Sequence, residues 1–206
     1  MAQLKSFDPD WAISVKESED LEAVALGHIA TLDTFIDGLY HLDYPTFKKG
    51  EDPPEVVAPY ATRFGASVRE QPKSTQSYPD LIIDRLVLRE GIFHNISVEQ
   101  KTNTRGNEPV WNGHLPSPGE LFVHITPERS IPFLGDHFRG HEERAGLLAY
   151  DANTKAMAKK YNAGLSGDFK YYPRKAIQTK VKVKSFDSPQ HRKTIREHFL
   201  RHIYKP

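Results

Sequence analysis

Pro79-Asp80-Leu81-Ile82-Ile83-Asp84-Arg85-Leu86-Val87-Leu88 is followed by Arg89-Glu90-Gly91 and then by Ile92-Phe93-His94-Asn95-Ile96-Ser97-Val98-Glu99-Gln100-Lys101. The outer runs are rich in branched and aromatic residues and the middle is a turn, so the stretch reads as a β-hairpin. Upstream, Ala66 to Glu70 is a short extended segment, and Gln71 to Ser77 is a polar loop. Further upstream, a helix is expected from Asp52 and Pro53 to Phe64, with Asp52 as its cap and Gly65 as its stop. A longer helix is expected over 17–40, where Leu21, Val24, Ala25, Ile29, Leu32, Phe35 and Ile36 recur every three or four residues. Downstream, the Asn-, Gly- and Pro-rich loop 102–119 leads to Glu120-Leu121-Phe122-Val123-His124-Ile125-Thr126, a buried central strand. The remainder reads as a helix over 140–161, a strand over 176–186 and an amphipathic helix over 189–203. Helices flanking a mixed sheet make an α/β protein with a three-layer core.

The chain has 206 residues, enough for one domain and its own core. The expectation is a single domain, with an acidic helical region at 1–50, a core at 51–130 and a basic region at 131–206. No run approaches the length of a membrane span, and the first residues lack a signal peptide's apolar centre, so a cytoplasmic protein without membrane partners is expected. Cysteine is absent. Disulfides, thiol nucleophiles and thiolate metal sites are therefore excluded, and any metal must sit on oxygen or His. The net charge of +1 conceals a division: residues 1–60 hold 4 basic and 12 acidic side chains, and 151–206 hold 14 and 4. A basic quarter carrying Tyr161, Tyr171, Tyr172, Phe186 and Phe199 suits a polyanion, or else a solvated face balanced by the acidic region.

Side chains alternate along a strand, so Ser97, Glu99 and Lys101 share one face and Gln100 lies on the other. Asp80 opens the partner strand, from which its carboxylate can approach Glu99. Two such carboxylates repel unless a cation lies between them, and hard oxygen ligands favour Mg²⁺. Lys101 stands beside this pair. The plain alternative is a Glu99–Lys101 surface ion pair, with Asp80 a turn residue.

Pro79-Asp80 followed by Glu99-Gln100-Lys101, in the context of Tyr78 and the helix before it, resembles the PD-(D/E)XK nucleases, and among them type II restriction endonucleases with an EcoRV-like core. The resemblance covers roughly residues 50–103. It implies a restriction-endonuclease-like mixed β-sheet flanked by helices, with Asp80 and Glu99 as metal ligands, the main-chain carbonyl of Gln100 as a further ligand and Lys101 as the catalytic lysine. An accessory acid is expected from the preceding helix, Glu51 or Glu55, with Glu55 taken as the catalytic candidate. Asp84, four residues along the same strand face, is the alternative to Asp80. The implied reaction is Mg²⁺-dependent hydrolysis of double-stranded DNA, with Mn²⁺ as a substitute, leaving 5′-phosphate and 3′-hydroxyl ends. A homodimer would cut both strands of a palindrome, helix 17–40 could supply its contact, and a separate DNA methyltransferase is the expected companion. A repair nickase, a junction resolvase or a non-enzymatic DNA-binding module are the other readings.

DNA-binding candidates follow the lysine: Thr102, Asn103, Thr104, Arg105, Asn107, Trp111, Asn112 and His114, types that reach base edges and phosphates. A second set is Lys170, Tyr172, Arg174, Lys180 and Lys182, where Lys180, Lys182 and Lys184 would alternate on an exposed strand face or blunt a sheet edge. His137 with His141, and His198 with His202, stand four apart, a spacing that could chelate a metal on a helix but matches no metal motif.

Overall fold

The computed structural model describes residues 29–48, 51, 53–70, 78–103, 109–111, 115–138, 141–167, 170–171, 177–178 and 182–204. Its strands are β1 (Ser67–Glu70), β2 (Leu81–Leu88), β3 (Gly91–Thr102), β4 (Val110–Trp111), β5 (Leu121–Ile125), β6 (Ser130–Leu134) and β7 (Ile177–Gln178). Its helices are α1 (Leu32–Leu39), α2 (Val57–Thr62), α3 (His141–Ala163) and α4 (Pro189–Leu200). Five strands form one mixed sheet in the order β1-β2-β3-β5-β6, and β4 with β7 forms a separate two-stranded ribbon. Only the β3–β5 pairing in the main sheet is parallel; the chain leaves β3, crosses through the long loop and returns alongside it. The protein is thus a mixed α/β fold with helices flanking its sheet.

The hairpin is the expected one, with Leu88 opposite Gly91 and Leu81 opposite Val98. Gly91 has φ +146°, a conformation that side chains rarely adopt. The turn also anchors α1, whose first N–H, on Leu32, donates to the Glu90 carboxylate at 2.8 Å. Of the segment expected as a helix over 17–40, residues 17–28 lie outside the described residues, and α1 begins at Leu32, where Thr31 caps it and accepts the Thr34 N–H at 3.1 Å. Its face of Leu32, Phe35, Ile36 and Leu39 is buried, and Phe35 meets Tyr60, Phe64 and Phe199 at 5.1–5.7 Å between ring centroids.

Helix α2 begins four residues later than expected, at Val57. Its N-cap position is Val56, whose side chain caps nothing, and the preceding Glu55 does so instead, its two carboxylate oxygens accepting the N–H groups of Val57 and Ala58 at 3.1 and 2.5 Å. Gly65, at φ +72°, ends the helical segment as expected. In α4, Ser188 caps, Pro189 starts, and Ile195 and Phe199 are buried.

Two segments differ from the sequence reading. β6, unanticipated, carries Pro132, which an edge strand tolerates because the missing N–H can face away from its one neighbour. The strand expected over 176–186 is instead two residues of β7 and, after a stretch outside the described residues, a 3₁₀ turn at Val183–Phe186. The three-residue spacing of Val183 and Phe186 buries both, so Lys182 and Lys184 do not alternate on a strand.

Under the sheet, Trp111, Phe122, Phe133, Phe138 and Phe186 form an aromatic cluster with centroid separations of 5.1–6.4 Å. Gly135 lets the loop at Ser117 pass over it, since a Cβ there would stand 1.9 Å from the Ser117 carbonyl oxygen. Gly135→Ala is therefore expected to lower stability by about 1–3 kcal/mol, because backbone must move. Gly146→Ala, on α3 with nothing within 4 Å, is expected to raise it by about 0.5–1 kcal/mol. Denaturant melts of the two variants check the pair of signs.

Candidate active site

The open end of the hairpin gathers the predicted residues. Asp80 precedes β2; its N–H donates to the Val98 carbonyl at 3.1 Å, and its Oδ2 accepts the Gln100 N–H at 3.0 Å. Both partners lie on β3, so the acid is held against the return strand by its main chain and its side chain together. Tyr78 reinforces this end: its hydroxyl donates to the Ser97 carbonyl at 2.9 Å and accepts the Leu121 N–H at 3.1 Å, bridging β3 and β5 where their pairing starts.

Glu99 and Lys101 project from one face of β3 and form an ion pair. The Lys101 ammonium also lies 5.7 Å from the centroid of the Trp111 ring. Burial raises the Asp80 carboxyl above its ordinary range, and the positive charge of Lys101 pulls it back down. One ammonium thus serves two carboxylates, Asp80 through its field and Glu99 through direct contact.

Gln100 points to the opposite face. Its Oε1 accepts the N–H groups of Val56 and Val57 at 2.8 and 3.3 Å, and its Nε2 donates to the Pro54 carbonyl at 2.9 Å and the Thr102 hydroxyl at 3.1 Å. This side chain fastens the start of α2 to β3 and so carries Glu55 toward Asp80. Burial raises the Glu55 carboxyl, and the negative charges of Asp80 and Glu70 raise it further, against the lowering by its two helix-capping hydrogen bonds. Glu51 is differently placed: its carboxylate accepts the Lys48 N–H at 3.0 Å within its own turn. Of the two accessory acids, Glu55 is the one in electrostatic contact with Asp80. Asp84 is engaged elsewhere, accepting Arg69 Nε at 2.7 and 2.9 Å. Beside Glu55 a cavity of about 720 Å³ is lined by Ala58, Pro59, Thr62, Arg63, Val68 and Glu70.

Among the described residues, no three His, Asp or Glu side chains are grouped closely enough to hold a metal ion. The set expected for Mg²⁺ has two side chains, Asp80 and Glu99, with the Gln100 carbonyl. It is all hard oxygen, with positive charge from Lys101 paired to Glu99 and felt at Asp80, so its donor chemistry fits a hard cation.

The expected DNA contacts divide. Thr102 and Asn103 continue from β3, and the Asn103 N–H donates to the Ile125 carbonyl at 3.0 Å. Lys170 and Lys182 are exposed. Trp111 is 1% exposed, in the aromatic cluster, and so packs the core beneath Lys101 rather than meeting a base. Thr104, Arg105, Asn107, Asn112, His114, Tyr172, Arg174 and Lys180 lie outside the described residues. The His198 and His202 rings are 5.0 Å apart, and the His137 ring meets that of His191 at 4.4 Å; the side chain of His141 lies outside the described residues.

The sequence reading missed His124. It lies on β5 in register with Lys101, is 1% exposed, and neither ring nitrogen has a hydrogen-bond partner among the described residues. The one signal was a lone polar residue in Leu-Phe-Val-His-Ile.

No family model, no curated protein and no solved structure matches this chain. Among the described residues, no helix is long and apolar enough to cross a membrane.

Burial lowers His124, His137 and His198 to about 4. Above the ordinary value of 6.5 these residues are neutral in both folded and unfolded chains. Between there and about 4 the unfolded chain takes up protons that the folded chain refuses, so stability falls with pH. Each residue contributes up to about 3 kcal/mol to the loss. Asp80 and Glu55, raised in the folded state, act with the opposite sign. Thermal melts from pH 8 to 4.5 should show a plateau and then a fall. His124→Leu should flatten the fall without lowering the neutral-pH melting temperature.

Proposed function

We propose that this chain is a Mg²⁺-dependent endodeoxyribonuclease of the PD-(D/E)XK type, hydrolysing phosphodiesters of double-stranded DNA at a specific site as type II restriction enzymes do. The observation that carries the reading is the convergence of Asp80, Glu99 and Lys101 at the open end of one hairpin, with the Lys101 ammonium paired to Glu99 and its charge acting on Asp80. The five-stranded mixed sheet, with the acid at the start of one central strand and the Glu-x-Lys run at the end of its antiparallel neighbour, is the setting the motif calls for.

Asp80 and Glu99 would hold the ion, with the main-chain carbonyl of Gln100. Mg²⁺ bound there supplies a lowered pKa for attacking water and neutralisation of phosphate charge. Lys101, released from part of its pairing with Glu99, stabilises charge on the phosphate oxygens. Glu55, held on α2 by Gln100, keeps negative charge beside Asp80 and strengthens the preference for a cation. Thr102 and Asn103 begin the loop expected to follow the DNA, and the exposed Lys170 and Lys182 belong to the basic quarter that would meet phosphate. A palindromic site requires two active sites related by a two-fold axis, hence a homodimer, with a methyltransferase protecting host DNA. A nickase or junction resolvase would share the three residues and differ in preferring nicked or branched DNA.

Lys101→Ala and Asp80→Asn are each expected to reduce plasmid cleavage in Mg²⁺ by at least about 100-fold. Asp80→Asn should melt near the wild-type temperature, whereas Lys101→Ala, which takes the ion-pair partner from the buried Glu99, should melt lower, so its cleavage is measured well below its melting temperature. Cleavage by either variant at the wild-type rate contradicts the assignment. Gln100→Ala separates support from chemistry: it is expected to loosen α2 and weaken cleavage while leaving Asp80, Glu99 and Lys101 in place.

A further inference from the structure

Among the described residues, helix α3 meets the body along one line, and much of the rest of its surface is exposed. Arg144 fixes its start, donating to the carbonyls of Pro116 and Leu115 and to the Ser117 hydroxyl at 2.5, 2.8 and 2.7 Å. Further along, Ala158 is buried. Beside that line, Leu147, Tyr150, Thr154, Met157 and Tyr161 follow one another at spacings of three, four, three and four, the seam of a two-stranded coiled coil. Tyr150, Met157 and Tyr161 are 74%, 72% and 64% exposed. A soluble surface does not ordinarily leave such a row to water.

We propose that this seam is where a second copy of the chain docks, α3 lying antiparallel to its counterpart. In antiparallel pairing the two alternating seam positions meet each other. Leu147 then faces Met157 of the other copy, Tyr150 faces Thr154, and Tyr161 comes level with Glu143. The charges agree with this direction. The exposed Glu143 at one end lies level with Lys159 and Lys160 at the other end of the partner helix, and the opposed helix dipoles add attraction. A parallel pairing would instead stack Lys159 and Lys160 on their own copies. The inference does not rest on the nuclease reading, and its failure leaves the chemistry at Asp80 untouched.

The full chain should sediment as a dimer over a concentration series, and Met157→Glu as a monomer with an unchanged circular dichroism spectrum, because Met157 touches little of its own body. Since the chain has no cysteine, introduced thiols are the only ones. Mixing single variants Leu147→Cys and Met157→Cys under mild oxidation should give 147–157 cross-links. A wild-type chain that remains monomeric overturns the proposal, as does a Met157→Glu dimer. Cross-links only between like positions, or wild-type and variant both monomeric with only DNA binding altered, overturn it too.

Discussion

The register of β2 against β3 is the constraint from which the rest of the site follows. The Asp80 N–H reaches Val98 and its carboxylate reaches the Gln100 N–H, so the acid stands beside the two residues that flank Glu99. Strand alternation then does the sorting. Glu99 and Lys101 turn to the aromatic face, over Trp111, while Gln100 turns to the helical face, where it holds the start of α2 and with it Glu55. A slip of one residue would exchange these faces, placing Gln100 among the aromatics and the ion pair beneath the helix.

The site is electrostatically expensive for the protein alone. Burial disfavours the charged forms of Asp80 and Glu55, and the charge of Asp80 raises the cost at Glu55 further. Lys101 offsets part of that cost by pairing with Glu99 and acting on Asp80 through its charge, and its ammonium lies over an indole held in the core. A cluster of this kind is poorly explained as a source of stability, since buried ion pairs commonly cost as much as they return. It is better explained as a place that gains when a cation or a phosphate arrives, which is the general pattern of perturbed acids at working sites.

The hairpin was legible because its period-two pattern, its turn and its flanking polar loops agree. That Glu99 and Lys101 share a face was legible from alternation, and that Asp80 stands against them followed from the hairpin between them. What lay outside local pattern was harder to read. The capping of α2 by Glu55 was not legible because Gln100, more than 40 residues away, holds the start of that helix, while the expected cap Asp52 lies outside the described residues. β6 was hidden by Pro132, whose acceptability depends on the strand being at an edge. Trp111 looked like a loop residue but is drawn into the core by Phe122, Phe133 and Phe138. His124 was concealed within an apolar strand, and only the parallel pairing with β3 sets it beside Lys101.

The proposal to be tested is hydrolysis of DNA at a hard-cation site formed by Asp80 and Glu99. The most direct test is to incubate the purified full chain with genomic DNA in Mg²⁺, with a parallel sample in chelator, and to sequence the ends produced. The account predicts ends bearing 5′-phosphates at one recurring sequence in Mg²⁺ and intact DNA in chelator. DNA left intact in both Mg²⁺ and Mn²⁺, or cut equally in chelator, would contradict it.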